Sequence, residues 1–287
     1  MSHDLIASYW TIAGDARLRM RGGTDHSPLD LRSRIDAAAA TGFRGIGFHS
    51  ADLVHWSARY PYSDVARLLA DSGLGYVELE ILREWFVTDG RRTESDRVRR
   101  ELLEIAEAIP VGHVKIGSSL GGDVWPVEHV AEEYARLCAQ FAEVGSRVAL
   151  EPVAVASVRT PDQALEVVGL SGAPNGGIIL DTWHAVRAHV RYASLRTIPA
   201  ERIVSVELTD GAAEPINGLA SDGCDHRMLC GEGAFRVAEF AEAVLATGYC
   251  GRIGVENLSE ANRRRPLEVQ AKANFDAATT VLPARGT

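Results

Sequence analysis

Neither a CxxC pair nor a long apolar run occurs in this chain. Its four cysteines, Cys138, Cys224, Cys230 and Cys250, lack that spacing, which argues against a structural zinc motif and offers no disulfide framework. No window of about 18 apolar residues is available to span a bilayer. The opening MSHDLIASYW carries no basic segment followed by an apolar one, so no signal peptide is expected. Positive charge is also in deficit: 30 Lys and Arg face 39 Asp and Glu, a net charge of -9. A surface of that sign repels phosphate backbones and anionic membranes, so neither nucleic acid nor membrane is expected as a partner. Arg91-Arg92, Arg97 to Arg100 and Arg263 to Arg265 are local exceptions, expected on solvated helices or loops. Linker-like Pro/Gly/Ser stretches are missing too. The 287 residues, 46% hydrophobic and 24% charged, are therefore expected to form one domain, 1–287, that is reduced, soluble and cytoplasmic.

What the chain does have is a period. Short runs rich in Val, Ile and Gly alternate with longer amphipathic segments throughout. Strands are expected at Leu5–Thr11, Gly45–His49, Tyr76–Leu82, His113–Gly117, Val148–Val153, Gly177–Leu180, Ile203–Leu208 and Ile253–Glu256. Helices are expected between them: one from a Ser27-Pro28 start to Thr41-Gly42, one opened by Ser63, and others over Glu94–Ala108, Pro126–Val144, Ala185–Leu195, Phe235–Ala246 and Pro266–Val281. Thr160-Pro161 starts a further helix. Eight strands alternating with eight helices predict an α/β architecture, a single (β/α)8 TIM barrel rather than an open doubly wound sheet.

Four acids close four successive strand runs: Glu151 in RVALEPV, Asp181 in GIILDTWH, Glu207 in RIVSVELTDG and Glu256 in RIGVENLS. In a parallel barrel the C-terminal strand ends share one face, so these side chains converge. Four like charges repel unless a cation lies between them, which points to one divalent metal. An all-oxygen ligand set favours Mn or Mg, with Co or Zn as further candidates. Glu207 has rival readings: Asp210 replaces it as ligand, or it pairs with Lys115 or Arg227. Either cation is suited to offset the surplus negative charge. His184, three residues after Asp181, is read as a proton carrier, a direct ligand or a helix-start residue. His49 and Trp183 sit where they would line a pocket, and Trp10, Trp56 and Trp85 lie near strand ends. Gly231-Glu232-Gly233 reads as a turn before a helix.

The series ALEPV, ILDTWH, SVELTDG, HRMLCGEG and GVEN resembles the sugar phosphate isomerase/epimerase group of xylose-isomerase-like barrels, over about Leu5 to Val281. The resemblance implies metal carboxylates at Glu151, Asp181 and Glu256, a proton-transfer histidine at His184, and a substrate-contacting arginine at Arg227. It departs at Glu207, where relatives commonly have His or Gln, and at Cys230, where they often have Pro. The DNA-repair branch uses a three-zinc site with many more histidines, which this chain does not match. The expected activity is metal-dependent isomerisation or epimerisation of a small keto-sugar or polyol carbonyl compound through an enediolate. Glu151 and Glu256 would exchange the proton, with Lys115, Arg227, His49 and Trp183 binding substrate. The alternatives are a lyase of the inosose or 3-dehydroshikimate dehydratase type, and a non-catalytic accessory barrel. Homo-oligomerisation stays open.

Overall fold

The computed structural model describes residues 3–120 and 122–284; residues 1–2, 121 and 285–287 of the expected domain lie outside them. Parallel strands β1 (Leu5–Ala7), β2 (Gly45–His49), β3 (Val77–Leu82), β4 (His113–Gly117), β5 (Arg147–Glu151), β6 (Gly176–Asp181), β7 (Ile203–Leu208) and β8 (Ile253–Val255) pair in sequence order. β8 closes the barrel against β1. The architecture is the (β/α)8 barrel that the alternation predicts.

Most expected elements hold to within a few residues at each end, and β2, β4 and β7 match at both ends. The largest strand correction is the first. Leu5–Thr11 was expected to be extended, yet the strand stops at Ala7 and Tyr9–Ile12 forms a helical turn with all four residues buried. An apolar run fits a buried strand or a buried helix equally well by period alone. Tertiary bonds decide here: the Thr11 hydroxyl donates to the Val255 carbonyl at 2.6 Å and accepts from the Asn257 N–H at 2.9 Å.

Among the helices, Thr160 and Gln163 form the reciprocal cap that starts Pro161–Ser171. Helix Leu31–Thr41 is capped by Asp30, which accepts from the Ser33 N–H at 3.2 Å, and not by Ser27, whose hydroxyl donates to the Ala13 carbonyl. It ends at Gly42, whose φ of 112° is left-handed. The single helix expected over Ala185–Leu195 is two, Thr182–Arg187 and Tyr192–Leu195, broken where His189 takes a φ of 56°. Short helices Ser50–Trp56, Leu219–Asp225 and Glu260–Arg263 follow β2, β7 and β8 without a clear periodic signal.

Strand alternation divides inside from outside. Leu79, Ile116, Leu150, Leu180, Leu208 and Val255 join the main hydrophobic core beneath the helices. The opposite parity faces the lumen, and there the chain places Glu78 and Glu80, His113 and Lys115, Glu151, Asp181 and Glu207, all buried. Bulky branched residues usually fill such a lumen; in this barrel a small cluster of Ala149, Ile179 and Val204 is separate from an ionic upper interior. Gly254 on β8 opens the room for that interior. A Cβ there would lie 2.9 Å from Ser8 Oγ and 3.1 Å from Glu207 Cγ. Gly254→Ala is expected to destabilise the fold by about 1–3 kcal/mol through forced displacement of Glu207, read as a lower urea midpoint at unchanged slope.

Candidate metal centre and active site

β5 and β6 end on Glu151 and Asp181, β7 carries Glu207 one residue before its end, and Glu256 directly follows β8. Register sets Asp181 opposite Glu207 across the β6–β7 pair. One oxygen from each of the four carboxylates lies within 4.8 Å of all the others. The convergence expected from sequence is therefore present in space.

Two buried cations hold this group together. Lys115 Nζ lies 2.6 Å from Glu207 Oε1, 2.7 Å from Glu256 Oε1 and 3.0 Å from Glu80 Oε2. Arg227 Nη1 lies 3.0 Å from both Asp181 Oδ2 and Glu256 Oε2, while its Nε donates to the Gly223 carbonyl. Of the two cations proposed for Glu207, the one within ion-pair distance is Lys115. Asp210 does not replace Glu207: its oxygens accept from the backbone N–H groups of Gly211, Gly231 and Phe235, bracing the loop after β7. The Gly231-Glu232-Gly233 turn is thus held by a side chain of its own loop.

Oxygens remain for a metal. Glu151 Oε1 and Glu207 Oε2 are buried without a hydrogen-bond partner, a costly state that a cation relieves. An all-carboxylate set with two such orphaned oxygens fits a hard divalent ion.

Around the four acids the electrostatics are divided. Burial pushes the Glu151 carboxyl up to about 8 and Glu80 up to about 7. Burial and the adjacent Glu256 also raise Glu207 well above the usual carboxylate range, against the pull of Lys115. Glu256 goes the other way: burial opposes its charge, but Lys115 and Arg227 outweigh that and hold it at about 2. For Lys115, burial disfavours the ammonium and the surrounding carboxylates overcome it, so its pKa lies well above the usual lysine value. The lysine stays charged and is no candidate for a neutral nucleophilic amine.

His184 stands beside this centre. Its Nε2 is 3.7 Å from Glu151 Oε1, and its Nδ1 accepts from the Ala154 N–H at 3.4 Å. That acceptor role assigns the proton to Nε2. Burial lowers the ring's pKa to about 4, so it is neutral at pH 7. Asp181 has two tasks, since its Oδ1 also caps the helix at Thr182 by accepting from the His184 N–H at 2.7 Å.

A cavity of about 110 Å³ opens above the acids, lined by Glu80, Lys115, Glu151, His184, Arg227 and Glu256 at its floor and by Trp10, Leu18, Met20, Ile81, Val153 and Trp183 on its walls. Trp183 is fixed by its N–H bond to Asp222 and by contact with Gly223, where a Cβ would come within 2.9 Å of the ring. Arg227 lies 5.4 Å from the centre of the same ring. His49 lines an adjoining cavity instead, and its Nδ1 accepts from the Ala51 N–H at a helix start. Of the other tryptophans, Trp10 joins the wall. Trp85 is buried beneath, donating to the Gly117 carbonyl, and Trp56 packs near Tyr60 and Arg59.

Sequence reading did not single out Glu78, Glu80, Arg83 or Asp222 as site residues. The signal for the first two was the E-x-E of YVELE, because a spacing of two puts both acids on one strand face. Arg83 lines the cavity and has no hydrogen bond or ion pair to another described residue. The basic clusters mostly pair on the surface, as with Arg97 and Glu94 or Arg264 and Glu260. Arg263 departs from that expectation: it is buried, donates to the Cys224 carbonyl and pairs with Asp225 in a cavity beside Trp10.

A closed barrel with carboxylates gathered at the C-terminal strand ends defines a class, and the chain's relatives narrow it. The chain belongs to the xylose isomerase-like TIM barrel family, which it matches over residues 35–278. It is similar to the 3-dehydroshikimate dehydratases of Pseudomonas aeruginosa and Pseudomonas putida, 27% and 26% identical over 249 residues. That alignment covers 84% of this chain but only 38% of each relative's length. In fold it is similar to the IOLI protein, solved with a bound zinc atom (TM-score 0.81, 17% identity, 98% of both chains). It is also similar to D-allulose 3-epimerase from Methylomonas sp. (TM-score 0.68, 17% identity, 98% of both chains).

The titrations predict a pH response. Glu80 and Glu151 bind protons more tightly folded than unfolded, so their contribution is full near pH 4.5 and is lost as pH rises through about 7 and 8. The buried His184 acts in the other direction only below about 6.5. In chelator, the Tm is therefore expected to fall between pH 6.5 and 8.5, with calorimetry as the check.

Proposed function

We propose that this chain, as one domain over 1–287, removes a proton next to the carbonyl of a small oxygenated compound and then expels water, a metal-assisted dehydratase. The observation that carries the reading is the set of four carboxylates within 4.8 Å, two of which, Glu151 and Glu256, line the floor of one cavity with His184 beside Glu151. Glu151, Asp181, Glu207 and Glu256 would hold the ion, with Mn or Mg suited to their oxygens. Bound there, it would supply Lewis-acid stabilisation of negative charge developing on substrate oxygens.

The side chains supply the rest. Glu151 takes the C–H proton; burial, which raises its pKa, makes its ionised form a strong base. The same proton then leaves with the hydroxyl on the neighbouring carbon, so the elements of water depart and a double bond forms. The neutral His184 donates a hydrogen bond from Nε2 toward that departing oxygen. Arg227 keeps Asp181 and Glu256 ionised and in place. Trp10, Leu18, Met20 and Trp183 exclude water and offer apolar walls that suit a carbon ring better than an open-chain polyol. Arg83, which lines the cavity without an acidic partner among the described residues, would meet a charged substituent of the substrate.

Elimination is put ahead of isomerisation because the curated relatives matched over most of this chain are dehydratases. Isomerisation or epimerisation shares the first step and returns the proton to carbon, with Glu256 facing Glu151 across the centre. The epimerase fold neighbour supports that second reading. The four cysteines are free, which suits a reducing cytoplasm.

The test supplies Mn²⁺ with 3-dehydroshikimate in one reaction and D-allulose in another. Dehydration extends conjugation and is expected to raise ultraviolet absorbance with the first. A new sugar peak from the second, with no absorbance change from the first, would select the epimerase. Glu151→Gln is expected to lower kcat by about 10³-fold or more while circular dichroism stays unchanged. Retained turnover in that variant would remove Glu151 as the base.

A further inference from the structure

We infer that Lys115 is a resident cation that keeps the acidic centre assembled when no divalent ion is bound, by bonding the carboxyl groups of Glu207, Glu256 and Glu80 at once. An ammonium has three N–H donors. Lys115 has three carboxylate oxygens within 3.0 Å, from Glu207, Glu256 and Glu80 on three different strands or strand ends. Its donors are therefore fully used inside the barrel, and the group is 1% exposed.

The three acids depend on it unequally. Glu256 has a second cation in Arg227. Glu80 makes the longest of the three contacts, 3.0 Å. Glu207 has one cation within ion-pair distance among the described residues, and that cation is Lys115; its remaining bond is from the Ser8 hydroxyl at 3.3 Å. Lys115 and Glu207 are thus an obligate pair, set 92 residues apart in the chain.

Charge counting gives the pair a purpose. Glu151, Asp181, Glu207 and Glu256 carry four negative charges when all are ionised. Lys115 and Arg227 return two, and a divalent ion returns the other two. With the ion present, all four acids can ionise at no net charge. Without it, Lys115 leaves the buried Glu207 carboxyl with a cationic partner at 2.6 Å. This inference builds on the reading of the four acids as a metal seat, but its test measures folding and needs no turnover.

The experiment compares thermal unfolding of wild type, Lys115→Met, Glu207→Gln and the double variant in EDTA at pH 7.5. Lys115→Met is expected to lower Tm by about 10 °C, the effect of stranding one partner of a buried pair in a chain of this size. Adding Glu207→Gln to it is expected to restore at least half of the loss, because the stranded charge is gone. A Tm for Lys115→Met within a few degrees of wild type overturns the inference. So does a double variant whose loss equals the two single losses added. If Lys115→Met is recovered only as aggregate, the double variant decides, with folded soluble protein supporting the pair and aggregate overturning it. A Mn²⁺ titration of wild type tests the metal seat separately, so failure there is distinguishable from failure of the pair.

Discussion

Everything in the upper barrel is arranged around one ammonium group surrounded by carboxylates. Gathering six acids, Glu78 and Glu80 included, in a desolvated lumen would unfold an ordinary barrel, because each unpaired charge carries a penalty of several kcal/mol. Lys115 removes much of that penalty from the inside. It reaches β3, β7 and the end of β8 at once, so the same contacts that neutralise the acids also tie together strands far apart in sequence. Below it, Glu78 meets His113 at 3.2 Å, which continues the pairing one layer down. An aliphatic lumen would be simpler to stabilise; a polar one leaves carboxylate oxygens free for chemistry.

The second cation works from a loop. Arg227 comes from the long segment after β7, and its position depends on that segment being rigid. Asp210 accepts three backbone N–H bonds at one part of the loop. Asp222, buried, accepts from Trp183 and Arg187 at another. Gly223 then allows Trp183 to lie close while its carbonyl takes the Arg227 Nε–H. The loop is therefore part of the scaffold that holds the acidic centre, with little in common with a mobile connection.

Sequence made the barrel and the four carboxylates legible for the same reason: both are periodic. Alternating strand and helix patterns locate the strand ends, and an acid placed at an apolar run's end is visible without any tertiary knowledge. Local caps were less reliable. Thr160 follows a plain capping rule, whereas Ser27 looks like a cap but spends its hydroxyl on Ala13 and leaves Asp30 to start the helix. Lys115 was one of two cations read as partners of Glu207, 92 residues away, but its contacts to Glu256, 141 residues away, and to Glu80 were beyond a local reading. Arg263 failed in the opposite sense: a basic run reads as solvated surface, yet one member turns inward to meet Asp225. His49 lines the adjoining cavity. It ends β2, but its ring serves the helix that begins at Ser50.

Shape and charge together bear on which reaction the centre performs. Epimerising an open-chain sugar calls for many hydrogen-bonding groups along the walls, because each buried hydroxyl left unpaired costs binding energy. This cavity places its polar groups on the floor and apolar side chains on the walls, with half-buried Arg83 also in its lining. Such a division suits a compact ring whose carbonyl and hydroxyl edge points down to the carboxylates while its carbon face lies against Trp10, Leu18 and Trp183. A ring also holds the C–H bond and the departing hydroxyl in fixed relative orientation, which lowers the entropic cost of elimination. On the dehydratase reading proposed above, the proton taken by Glu151 would leave with the oxygen beside His184 and would not return to carbon.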